Sequence, residues 1–166
     1  MKSLFLLLLC CLDLPFKKEA PSFIDPAAAY MAPSFIDPTG TYILRGDIKN
    51  NNIVGHYGEM RVRLLDRRTA AFCFYINNGY PNFASGAVLD TLSYEDNRLQ
   101  FQPSMDSGCS LILTFSERSV EIMEVYGDPR SGCGFAPGVM EAATFRKISS
   151  EIPVIQDLSH RGQPGG

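Results

Sequence analysis

Met60-Arg61-Val62-Arg63-Leu64-Leu65-Asp66-Arg67-Arg68-Thr69-Ala70-Ala71-Phe72-Cys73-Phe74-Tyr75-Ile76 decides the fold class. Met60, Val62 and Leu64 alternate with Arg61, Arg63 and Leu65. Phe72, Phe74 and Ile76 alternate with Ala71, Cys73 and Tyr75. Successive side chains of a strand point to opposite faces, so an apolar period of two marks a half-buried strand, whereas a helix needs a period of about 3.6. The stretch therefore predicts two antiparallel strands, with Arg67 and Arg68 in the turn between them.

The same period continues on both sides. Upstream, Tyr42 and Leu44 alternate with Ile43 and Arg45, and Gly46 is expected to end that strand. Downstream, the turn-rich Asn77-Asn78-Gly79-Tyr80-Pro81-Asn82 precedes a strand over Ala84–Leu89. Leu92 and Tyr94 are expected to face Leu99 and Phe101 across a four-residue loop, Glu95-Asp96-Asn97-Arg98. Leu111, Leu113 and Phe115 alternate with Ser110, Ile112 and Thr114. A two-residue loop, Ser116-Glu117, would set Leu113 opposite Val120 and Leu111 opposite Ile122. After the Gly-rich stretch from Gly132 to Gly138, Val139–Lys147 is expected as the last strand.

No segment carries a long helical stripe with caps, and the 14 Gly and 11 Pro favour short elements joined by turns. Sequential strands usually pair, so the expected fold is all-β: an antiparallel meander of about eight strands closing into a small β-barrel, without substantial helix. The inward faces then gather Tyr42, Leu44, Met60, Val62, Leu64, Phe72, Phe74, Ile76, Leu99, Phe101, Leu111, Leu113, Val120, Ile122 and Phe145. Side chains this large predict a filled core and, at most, a small apolar cavity.

The 166 residues suggest one domain. Lys2 followed by Leu4–Leu9, Cys10, Cys11 and Leu12 reads as an export signal or lipoprotein-type leader over residues 1–19. That run is shorter than the roughly 20 apolar residues that span a bilayer, so membrane attachment is expected only through the leader. Ala20-Pro21-Ser22-Phe23-Ile24-Asp25-Pro26 recurs unchanged as Ala32-Pro33-Ser34-Phe35-Ile36-Asp37-Pro38. Its prolines favour an extended path. Residues 20–38 read as a duplicated Pro-rich linker, with a duplicated docking peptide as the alternative. The barrel is expected over residues 39–148. The Pro- and Gly-containing tail, 149–166, reads as disordered.

Chemistry-bearing residues are scattered. His160 lies in the tail, and His56 in an expected turn, Gly55-His56-Tyr57-Gly58, without a nucleophile elbow nearby. The carboxylates show no pairing that points to acid–base catalysis. The cysteines show no metal-ligand spacing. No catalytic residue, metal or cofactor is therefore expected. Net charge −3 provides no basic field for nucleic acid. Arg61, Arg63, Arg67 and Arg68 form the one candidate patch for an anionic partner. Setting aside Cys10 and Cys11, a Cys109–Cys133 disulfide is expected: Cys109 starts a strand with Glu124 beside it, and the segment from Tyr126 to Gly132 is flexible enough to return Cys133. Cys73 reads as a small buried hydrophobe.

Gly40-Thr41-Tyr42 opens the first strand, and Thr144-Phe145-Arg146-Lys147 closes the last. This arrangement resembles the lipocalin and fatty-acid-binding-protein (calycin) β-barrels. Those carry Gly-x-Trp in the first strand and a basic residue near the end of the last that stacks over the ring. The resemblance implies a barrel with a ligand-sized interior, which Tyr42, Phe72, Phe74, Phe101 and Phe145 would line. A second resemblance is to secreted bacterial lysozyme inhibitors, whose Ser-Gly-x-x-Tyr loop is similar to Ser107-Gly108-Cys109-Ser110-Leu111. It implies an inhibitor acting through a loop such as Tyr126–Phe135. The expected function is an exported (periplasmic, secreted or lipid-anchored), non-catalytic binding module. Its partner is a protein met at the surface or a small apolar ligand, with the surface preferred.

Overall fold

The computed structural model describes residues 34–127, 132–136, 138–139 and 142–158. The chain divides into two units, Met1–Ala32 and Pro33–Gly166, and the described residues belong to the second. The leader and the first repeat copy lie outside them.

The described strands are β1 (Gly40–Leu44), β2 (Asp47–Lys49), β3 (Asn52–Asp66), β4 (Thr69–Gly79), β5 (Ser85–Glu95), β6 (Arg98–Phe101), β7 (Cys109–Phe115), β8 (Ser119–Tyr126) and β9 (Ala143–Ser149). Neighbours pair antiparallel in the order β1-β9-β8-β7-β6-β5-β4-β3, and β1 also pairs with β3. That last pairing closes an eight-stranded barrel, so the all-β meander holds. β2 is the additional strand. It lies beyond the end of β1, and among the described residues it pairs with β3 alone.

Every residue expected to face inward does so. Leu44, Leu64 and Phe101 are partly buried against the core, and the rest are buried within it. Phe72 stacks on Phe74, with centroids 6.3 Å apart, and meets Phe101 edge-on at 6.4 Å. Alternation decides which side chains enter the core because the pleat puts every second residue on the same face.

Several connections differ from expectation. The β5–β6 loop is a two-residue turn, Asp96-Asn97, because Glu95 already pairs with Arg98. Asp96 (φ 49°) and Asn97 (φ 60°) adopt the left-handed conformation that a hairpin turn of this type requires. Asn50 (φ 50°) and Asn51 (φ 61°) make the same turn between β2 and β3, a hairpin the alternation did not announce. Short polar side chains tolerate this conformation by bonding locally.

The β7–β8 turn is wider than expected. The Ser116 amide donates to the Ser119 carbonyl (2.9 Å), and the Ser119 amide donates to Ser116 Oγ (3.0 Å). Leu113 therefore faces Ile122, and Phe115 faces Val120. Cys109 lies opposite Tyr126, and Glu124 opposite Leu111. The last strand starts at Ala143 rather than Val139. Val139 is buried in the preceding loop, where its amide donates to Ala136 O (3.1 Å). His56 sits within β3 rather than in a turn.

The tail differs as well. After β9, the chain to Leu158 packs on the outside of the barrel. Leu158 is buried with Cys73 and Tyr75, and Ile155 packs beside them. Arg61 Nη1 donates to Val154 O (3.1 Å). Apolar side chains at Ile155 and Leu158 cover an outer face that would otherwise expose Cys73.

Candidate functional site

One end of the barrel is crossed by the second repeat copy. Ser34 to Thr39 forms no strand, so its backbone groups need side-chain partners. Asn97, at the tip of the β5–β6 hairpin, supplies them twice: its Nδ2 donates to Ser34 O (2.9 Å), and its Oδ1 accepts the Ile36 amide (2.8 Å). Tyr94 OH donates to Ile36 O (2.7 Å), and Tyr42 OH donates to Pro38 O (2.7 Å). Thr39 Oγ1 accepts the Leu64 amide (3.1 Å). The Phe35 ring meets Tyr94 edge-on at 5.9 Å. Lys147 Nζ lies 5.5 Å from the Tyr42 ring centroid and donates to Asp37 O (3.3 Å).

Burial, reinforced by neighbouring charge, pushes the Tyr42 and Tyr94 phenols well above the ordinary tyrosine range. Both therefore stay protonated and able to donate. Burial lowers Lys147, with the Asp37 carboxylate opposing that shift. This is a built cradle for an extended peptide. Nothing in the period of residues 20–38 pointed to it, because its partners lie as far as 110 positions away.

The opposite end is closed differently. Cys109 and Cys133 lie at disulfide distance, their Cα atoms 5.1 Å apart. The Gly132 amide donates to Asp106 Oδ2 (3.0 Å), which holds the returning loop. Phe135 then packs against Phe74 at 6.2 Å and over Gly86, where a β-carbon would collide with its ring. Val139 is fully buried beside it. His56 Nε2 is 2.9 Å from Gly138 O, which ties β3 to the same loop. The loop Tyr126–Phe135 thus turns inward at Cys133 and Phe135. Its residues 128–131 lie outside the described residues, as does His160.

The residues named as ligand-lining are packed. Tyr42, Phe72, Phe74 and Phe145 have no accessible surface, and a water-sized void against those rings would have left some. Phe101 is partly buried. Arg61 and Arg63 share the outer face of β3, and Arg67 and Arg68 follow that strand. Arg61 Nε donates to Glu59 Oε1 (2.6 Å) and its guanidinium also holds the tail. Arg63 is exposed on the outer face of β3. Arg67 and Arg68 share a groove of about 470 Å³ with Glu95 and Asp96. Burial raises the Cys73 thiol, which opposes thiolate chemistry there.

A second groove, of about 370 Å³, runs along the outside of β1–β3. Ile43, Ile48, Ile53, Tyr57 and Tyr75 supply its apolar lining. Ile48 is 80% exposed on the additional strand β2. Arg45 and Glu59 line the groove, and the exposed Asp47 and Lys49 flank Ile48 on its strand. On the far side of Ile43, Arg146 and Ile148 line an adjoining groove of about 480 Å³. No family model matches this chain, and neither a curated protein nor a solved structure matches it.

Proposed function

We propose that this chain is an exported, non-catalytic binding module that recognises a protein partner through the outer face of β1, β2 and β3. The carrying observation is the juxtaposition of Ile43, Ile48 and Ile53 in a groove on the outside of a barrel whose inward aromatic side chains are packed. Exposed apolar residues grouped this way mark interaction surfaces. β2 adds a short strand on which, among the described residues, pairing is confined to one side, and extended segments add to such edges. Arg45 and Glu59 both line the groove, and Asp47 and Lys49 flank Ile48 on β2, so the fitting partner is an extended polypeptide with apolar side chains and charges of both signs.

Export is supported by the cysteine pair at disulfide distance, because such bonds persist in oxidising compartments. The calycin resemblance is supported by the eight-stranded closure and by Lys147 over the Tyr42 ring. An interior ligand is less favoured, because the rings that would line its pocket have no accessible surface.

Native mass spectrometry of the protein purified from its own compartment tests this reading. A bound polypeptide is expected, lost in Ile48→Asp and retained in Met123→Asp. Met123 is exposed on β8, away from the groove. Release of a small apolar molecule, with Ile48→Asp without effect, would overturn the surface reading in favour of the interior.

A further inference from the structure

Pro-Ser-Phe-Ile-Asp-Pro occurs twice, at Pro21–Pro26 and at Pro33–Pro38. The second copy is held by side chains reading an extended, proline-bounded segment, not by strand pairing. The groups that are read are the Ser34 carbonyl, the Phe35 ring, both backbone groups of Ile36, and the Asp37 and Pro38 carbonyls. Every residue in that set has an identical counterpart in the first copy. Asn97 is buried, and both ends of its carboxamide are engaged by this segment. Vacating the cradle would exchange these bonds for bonds to water and lose the net gain of each, which favours an occupied cradle.

We infer that the cradle of Asn97, Tyr94, Tyr42 and Lys147 is a receptor for this hexapeptide, and that Pro21–Pro26 is a second ligand for it, able to replace Pro33–Pro38. Sequence identity and the contacts of the second copy carry this assignment. It is independent of the groove on β1–β3. The two ligands are graded. Thr39 follows the second copy and accepts the Leu64 amide, whereas Ala27 follows the first and offers no hydroxyl. Seating the first copy turns residues 27–38 into a loop that must close before β1, a cost that the second copy, joined directly to β1, does not bear. Pro33–Pro38 is thus the resident ligand and Pro21–Pro26 the reserve. Exchange between them would free the resident segment without emptying the cradle.

Ile36→Pro removes the amide that Asn97 accepts, and Ile24→Pro is the matching change in the first copy. In the full chain, Ile24→Pro alone is expected to leave the melting temperature unchanged. Ile36→Pro alone is expected to lower it slightly, and the double variant by roughly 5 °C more. Equal melting of Ile36→Pro and the double variant would overturn the inference. A milder background keeps the test open if Ile36→Pro does not fold. With p-benzoylphenylalanine in place of Phe23 in a Phe35→Ala chain, photolysis is expected to cross-link position 23 to the segment containing Tyr94 and Asn97. Cross-links mapped elsewhere, or none, would overturn it.

Discussion

The two ends of the barrel are closed by different chemistry. At one, Asn97, Tyr94 and Tyr42 hold an extended arm through hydrogen bonds to its backbone. At the other, Cys109 and Cys133 tether a loop whose Phe135 and Val139 are packed into the core. Hydrogen bonds to a backbone exchange with competitors, at a net of about 1 kcal/mol each, and the Phe35 ring against Tyr94 adds the side-chain contact that selects among them. A covalent tether with an apolar plug reads nothing and does not exchange. The first end is suited to recognition and the second to stability.

The largest expected effect lies where the plug meets the barrel. Phe74 is fully buried between Phe72 and Phe135. Phe74→Ala should cost about 3–5 kcal/mol by denaturant unfolding. A cost under about 1 kcal/mol, with uptake of an apolar dye, would mean that the ring lines an open pocket, which would reverse the preference for surface recognition.

Next comes the tether, which closes a chain separation of 24 residues. Cys109→Ala with Cys133→Ala should cost about 3 kcal/mol through the entropy of the unfolded chain. Local hydrogen exchange at Ile36, whose amide Asn97 accepts, should stay unchanged when compared with residues that open only globally. Faster local opening at Ile36 would show that the two ends are coupled through the barrel.

The division between the ends also marks what was legible in the sequence. Period-two alternation places Met60, Val62, Phe72, Phe74 and Leu113 inside because each strand residue has only two faces to choose from. The β7–β8 register differs from expectation by two residues, and the core survives: Leu111, Leu113, Val120 and Ile122 stay inward in either register. A slip of one would have turned them out. The cysteine pair was legible by a similar economy, since few thiols and one flexible segment limit the choices. The arm was not. Asn97 stands beside Asp96 in a hairpin turn, and its buried amide finds partners at Ser34 and Ile36, where no periodicity links them. Leu158 and Ile155 were hidden for the same reason: isolated apolar residues in a Pro-containing tail have no period until a surface receives them. The groove was missed because Ile48 lies on a three-residue strand, too short to show alternation.

The smallest effect separates the ends by pH. Tyr42 is buried with its hydroxyl on Pro38 O, and burial raises its phenol above the value it has in the unfolded chain. A raised pKa contributes stability that is fully present below the unfolded value of about 10 and is lost as pH climbs toward the folded one. Tyr94 acts with the same sign, and Asp37 is the neighbouring charge that reinforces both. Lys147, over the Tyr42 ring, acts with the opposite sign: its lowered pKa adds stability as pH rises, and this ends near the unfolded value of about 10.4. Beyond that Tyr42 and Tyr94 slope the curve downward, at up to about 1.4 kcal/mol per pH unit for each phenol, and the raised Tyr57, Tyr126 and Cys73 act with the same sign. Tyr42→Phe should cost about 1 kcal/mol at pH 7, where it leaves the Pro38 carbonyl without its donor. It should then fall less steeply in alkali, so that the two stability curves meet at about pH 11. Phe135→Leu at the other end should run parallel to the parent throughout, because no titrating group is changed. Urea unfolding from pH 7 to 11 checks all three proteins. Parallel curves for Tyr42→Phe and the parent would mean that the phenol ionises inside the fold, and that the arm is not held by its proton.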